Sequence, residues 1–175
     1  MSNYKIEHGV TFINEDGVEK HTFIDFGIYP KTKGMPFPPE VQTEFIDVPG
    51  MDGRLDATQA LDGIVHYTDR NYEQEFLVVD PEADWHSIYS NMLNFLHGRK
   101  MRTVFDDDPL WYYEGRIEAG EPEPNEAGYI SIKIKGTLKP YKYSVIDSTD
   151  EDWLWDPFDF ETGVIRVYNN LPVDG

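Results

Sequence analysis

The sequence predicts a mainly β protein with one α-helix, an antiparallel β-sandwich or split barrel on which the helix packs. Three observations carry this. Residues 129–135, YISIKIK, place Ile130, Ile132 and Ile134 on one side and Ser131, Lys133 and Lys135 on the other, the period of a half-buried strand. Helical spacing of large apolar residues is clear once, at Trp85, Ile88, Met92 and Leu96. Elsewhere, β-branched and aromatic runs are cut by Asp-Gly, Pro-Gly and Asp-Pro turn formers.

In chain order, residues 10–14 and 18–24 flank EDG. Asp16-Gly17 supplies the positive-φ positions of a tight turn, so a first hairpin is expected, continuing towards Tyr29. The segment PKTKGMPFPPE holds four prolines; it lacks amide donors where pairing needs them and reads as a loop. A strand over residues 40–48 follows, then a long one over 63–79, interrupted by the polar TDRNYEQ. Asp80 suits a helix N-cap, Pro81 the first helical position, and Gly98 the C-terminal stop. The apolar stripe of that helix reads as packing on its own sheet. Residues 101–105 and 110–118 form a further hairpin around DDDP.

Between Lys142 and Arg166 no basic residue occurs, while seven acids gather around Trp153, Trp155, Phe158 and Phe160. That shift in composition divides the chain into a β-rich domain, 1–142, and an acidic aromatic segment, 143–175.

Composition limits the function. The chain has 175 residues, 39% of them apolar, enough for one sizeable core. With 15 Lys plus Arg against 33 Asp plus Glu, its formal charge of −18 opposes association with a polyanion, so sequence-specific nucleic-acid binding is not expected. The absence of cysteine excludes disulfides, thiolate nucleophiles and thiolate metal sites. MSNYKIEHGVTFINEDG has no signal-peptide pattern, and no apolar run approaches the roughly 20 residues of a membrane span. A soluble protein made in a cytoplasm, with no membrane insertion, is the expectation.

The stretch FIDVPGMDGRLDAT, residues 45–58, invites a chemical reading and resists it. No Gly-Lys-Ser/Thr follows Gly50 or Gly53, so it is not a phosphate loop. Pro49 and Met51 stand where a calcium loop would place oxygen ligands after Asp47. What remains is two close reversals, at Pro49-Gly50 and Asp52-Gly53.

Other candidates are equally plain. Asp106, Asp107 and Asp108 offer carboxylates for a hard cation, but a solvated Asp-Pro hairpin tip is the favoured reading. The histidines, at 8, 21, 66, 86 and 97, lack zinc spacing, and His97 reads as a complement to the helix dipole. Trp111, Tyr112 and Tyr113 could stack a sugar, with Trp111 and Tyr113 on one side of a strand and Tyr112 on the other; packing is the more ordinary use. An acid pair for glycoside hydrolysis is a distance in space, and 33 acids make any one pair uninformative. No cofactor, metal or catalytic residue is assigned.

The order of VPGMDGRLDAT after a proline-rich loop, a long strand, a helix after VVDPEADW, and WDPFDFETG resembles the amino-terminal part of the distal tail proteins of long-tailed, non-contractile phages and prophages. The resemblance spans about residues 22–163. It implies a structural virion component made in the bacterial host: a homo-oligomeric ring, usually a hexamer, between tail tube and tail tip. Such a ring contacts other tail proteins and lets DNA pass. A carboxyl-terminal galectin-like sandwich normally follows; too few residues remain for it here, so a truncated or short member is expected. In this setting Pro49, Gly50, Met51, Asp52, Gly53, Arg54 and Leu55 become a projecting hairpin at a subunit interface. The alternative is a carbohydrate-binding β-sandwich module, with an acid-pair glycoside hydrolase third.

Overall fold

The computed structural model describes residues 8–80, 84–125 and 128–145. By its contacts the chain falls into a main body, Met1–Gln42 with His66–Ile146, and a second unit that includes Thr43–Val65.

The main body begins with the expected hairpin. β1 (Val10–Ile13) pairs antiparallel with β2 (Glu19–His21), Asn14 and Val18 bond across the turn, and Gly17 has φ 79°. The second strand stops at His21 and does not run on towards Tyr29. Residues 21–27 turn instead: His21 Nδ1 accepts the Phe23 and Ile24 amides, and Gly27 reverses the chain at φ 66°. β3 (Ile28–Pro30) then joins the opposite edge of the sheet.

The proline-rich segment after Pro30 carries no regular element. The strand expected over 40–48 shrinks to β4 (Phe45–Ile46), which with β5 (Leu55–Asp56) makes the separate two-stranded sheet of the second unit; Val41 makes one isolated bridge to Tyr67.

β6 (Arg70–Val78) corrects another expectation: RNYEQ does not interrupt the strand but belongs to it. Tyr72, Gln74, Phe76 and Val78 point inward and Asn71 and Glu73 outward, so its polarity is the outer half of an alternation.

The helix α1 spans Trp85–Leu96. Its N-cap is Asp84, four residues after the expected Asp80; the Asp84 carboxylate accepts the His86 amide at 3.2 Å, and Pro81 lies outside the described residues. Met92, Phe95 and Leu96 are buried, with Trp85, Ile88, Tyr89 and Leu93 packed against the same core. Gly98 follows at φ 71°, as a helix stop requires. At the helix end His97 Nδ1 accepts the Ala119 amide at 3.2 Å.

β7 (Arg99–Phe105) and β8 (Trp111–Pro124) form the hairpin around DDDP, β9 (Ile130–Leu138) is the isoleucine strand, and β10 (Tyr143–Ser144) pairs with the start of β8. All pairings are antiparallel, and the path runs β2-β1-β7-β8-β9-β6-β3. The fold is antiparallel β with one packed helix.

The sheet must curl. Laid flat, seven neighbouring strands at about 4.8 Å would hold their edges about 29 Å apart, whereas the seven steps from His21 to Ile28 reach at most about 25 Å. Two buried side chains stitch the edges together. The Thr22 hydroxyl accepts the Val10 amide, while Thr22 donates to the Val10 carbonyl and accepts from Ile28 through its backbone. On the other side, Gln74 Nε2 donates to the carbonyls of His8 and Thr32, each at 2.9 Å, and its Oε1 accepts the Tyr72 hydroxyl at 2.9 Å. Inside the curl sit Phe12, Tyr72, Phe76, Phe105, Ile117, Ile132 and Ile134, all at most 2% exposed. The other face of the strands carries charged and polar side chains with Ile13, Leu77, Val104 and Tyr112 among them.

Candidate subunit interface

The stretch picked out by its glycines and aspartates lies in the second unit. Met51 donates to the Val48 carbonyl at 3.1 Å with Gly50 at φ 84°, the geometry that Pro-Gly favours in a type II turn. Gly53, at φ 80°, makes the second reversal. The strands on either side pair Phe45 with Asp56 and Ile46 with Leu55, and the Arg54 guanidinium lies 4.7 Å from the Phe45 ring centre. At its base the Thr58 hydroxyl accepts the Glu44 amide, and Ala57 donates to the Glu44 carbonyl. Hydrogen bonds from the Thr58 side chain and amide hold the Asp56 carboxyl below its usual range.

Among the described residues of this unit, which make an arm, the local turns are kept without buried side chains. Of residues 43–65 none is buried, and all seven positions from Pro49 to Leu55 are exposed. Seven large apolar side chains stand in solvent: Phe45, Ile46, Val48, Met51, Leu55, Leu61 and Ile64, with Leu61 97% exposed. The sequence reading found only Met51 and Leu55. Phe45, Ile46 and Val48 stand in the run FIDV, and Leu61 and Ile64 beyond it.

The rival sites come apart on inspection. The three aspartates at the β7–β8 turn each take a partner from a different segment: Asp106 meets His21 Nε2 at 3.1 Å, Asp107 meets His8 Nδ1 at 2.6 Å, and Asp108 meets Lys142 at 2.8 Å. Among the described residues no group of three or more His, Asp or Glu side chains is placed to hold a metal ion. Tyr113 is buried against Phe105, Tyr112 stacks on Tyr143 with ring centres 5.5 Å apart, and the Lys142 ammonium sits 4.8 Å from the Trp111 ring centre. The carboxylates that their surroundings shift, Asp56, Glu75 and Glu114, all move down, opposite to the shift that prepares a general acid.

No family model matches the chain, and no curated protein matches it. A solved structure does: the Dit protein (gp 19.1) of phage SPP1, described as a paradigm of the hub adsorption apparatus in phages that infect Gram-positive bacteria. The fold is shared with a phage tail hub protein. The TM-score is 0.56 and the identity 17%, over 77% of this chain and 52% of that one. The chain thus spans about half the length of SPP1 Dit, and at this identity the likeness is one of fold.

Proposed function

We propose that the protein is a structural component of a phage or prophage tail: a ring of identical copies, six by the family resemblance, at the junction of tail tube and tip, through which DNA passes. The observation that carries this reading is the arm. Its 23 residues, with no buried position, seven exposed large apolar side chains and Arg54 against Phe45, have the composition of an interface core. The SPP1 hub protein, which shares the fold, supplies the setting.

The main role of the residues 49–55 is then contact with the neighbouring copy. The acidity fits the same reading, because a cationic lumen would hold DNA by releasing its counterions and stall its exit. The protein performs no catalysis in this role, and its partners are its own copies and the adjoining tube and tip proteins.

Deleting residues 50–53 tests the arm. The shortened chain should keep the far-ultraviolet circular dichroism and melting temperature of the parent and fail to assemble in negative-stain electron microscopy. Rings of unchanged number and shape would refute the reading.

A further inference from the structure

We propose that His21 makes the join between the two edges of the sheet sensitive to acid. β2 and β3 stand at opposite ends of the strand path, and residues 22–27 connect them. The turn that makes this connection is fastened to one imidazole. His21 Nδ1 takes the amide of Phe23 at 3.2 Å and that of Ile24 at 3.3 Å. A backbone amide only donates, so Nδ1 carries no proton in this arrangement. The proton of the neutral ring is therefore on Nε2, where Asp106 Oδ2 accepts it at 3.1 Å. Close packing holds the ring in this orientation: a Cβ on Gly9 would lie 2.6 Å from its Nε2 and 2.9 Å from its Cε1.

A second proton changes one side of the ring and spares the other. Taken from solvent onto the Nδ1 lone pair, it turns an acceptor into a donor that faces two donors, and both amide bonds are lost. Nε2 donates to Asp106 in either state. The charged groups around the ring are mostly acids. Asp106 and Asp107 come from the β7–β8 turn, the second of them paired with His8 at 2.6 Å, and Asp25 Oδ2 accepts the His21 amide at 2.6 Å. Glu19 shares the side of β2 on which His21 stands, whereas the Lys20 ammonium lies over the Phe26 and Phe95 rings. These carboxylates accept an imidazolium where it stands, so the charged ring stays and the turn gives way. Histidine is the side chain whose ordinary titration falls nearest neutrality, which places the exchange in mild acid.

Hydrogen exchange followed by nuclear magnetic resonance tests this on the whole chain. From about pH 7.5 to about 5.5, a span around the usual histidine range, protection of the Phe23 and Ile24 amides should fall roughly tenfold in the parent once intrinsic rates are removed. The Thr22 amide, which is bonded to the Val10 carbonyl and not to the ring, should hold its protection. His21→Asn keeps a side-chain acceptor for the amide two residues on and does not titrate, so protection at Phe23 should stay level. His8→Asn removes the neighbouring imidazole and should leave the fall in place. The parent's ring nitrogens give a second reading. The neutral ring should carry its proton on Nε2, and the Phe23 and Ile24 amide resonances should move with the ring's own titration. If circular dichroism shows His21→Asn to be unfolded, this second reading decides alone. Protection in the parent that stays level or rises in acid, an equal fall in a folded His21→Asn, or a neutral ring protonated on Nδ1 overturns the proposal.

Discussion

Replacing Gln74 by leucine should open the seam that closes the sheet. The amide is 1% exposed and makes three hydrogen bonds of 2.9 Å, to the Tyr72 hydroxyl and to the carbonyls of His8 and Thr32. Leucine fills similar space and satisfies none of them. Stranding a buried hydroxyl costs about 2 kcal/mol, and each carbonyl that loses its donor near the surface about 1, so the loss should be about 4 kcal/mol. Tyr72→Phe alone leaves only Gln74 Oε1 without that donor, at about 1 kcal/mol. In the double variant no hydroxyl is stranded. Nor is Oε1 left without a donor, so the cost should be about 2 kcal/mol, about 3 less than the sum of the singles.

Urea denaturation at neutral pH measures all four chains. The alkaline limb gives a second check. Burial pushes the Tyr72 hydroxyl well above its usual 10.0. Its contribution is therefore complete below pH 10 and declines as the pH rises towards the folded value, where the unfolded chain gains by ionising first. The stability gap between parent and Tyr72→Phe should narrow above pH 10. Additive costs within about 0.5 kcal/mol, or a gap constant through pH 11, would refute the coupled seam.

Two further outcomes concern the main body. Hydrogen bonds from Lys100 and Lys139 hold the Glu114 carboxyl below its usual 4.5. This contribution is present above that value and lost as the pH falls through the lower folded one, so Glu114→Gln should flatten the fall in melting temperature between pH 5 and 3. Gly115 allows β8 and β9 to approach: a Cβ there would lie 2.1 Å from the Thr137 carbonyl oxygen, backbone that cannot swing aside. Gly115→Ala should cost about 3 kcal/mol in urea denaturation, and a loss below about 1 would show that the strands can part.

What the sequence disclosed was local. The β7–β8 hairpin, the isoleucine alternation of β9 and the turn at Pro49-Gly50 are settled by neighbours in the chain, and all three can be read without a structure. The inward glutamine of β6 could not be read so. Its reason lies in carbonyls 42 and 66 residues away, and a polar residue at an inward position looks like the end of a strand. The ion pairs of the outer face were hidden for a similar cause: their members alternate on four strands and meet only once the register is known. At the arm, sequence turn chemistry located the reversals. It could not show that Phe45, Ile46, Leu61 and Ile64 remain in solvent, because an apolar side chain reads the same whether its partner belongs to its own chain or to another.

Self-association through that arm is the claim on which the function depends. Sedimentation equilibrium of the chain across a hundredfold range of micromolar concentration reads it directly. The account predicts a discrete assembly with the mass of six 20.3 kDa chains that dissociates to monomer on dilution. A single 20.3 kDa species at every concentration would contradict it.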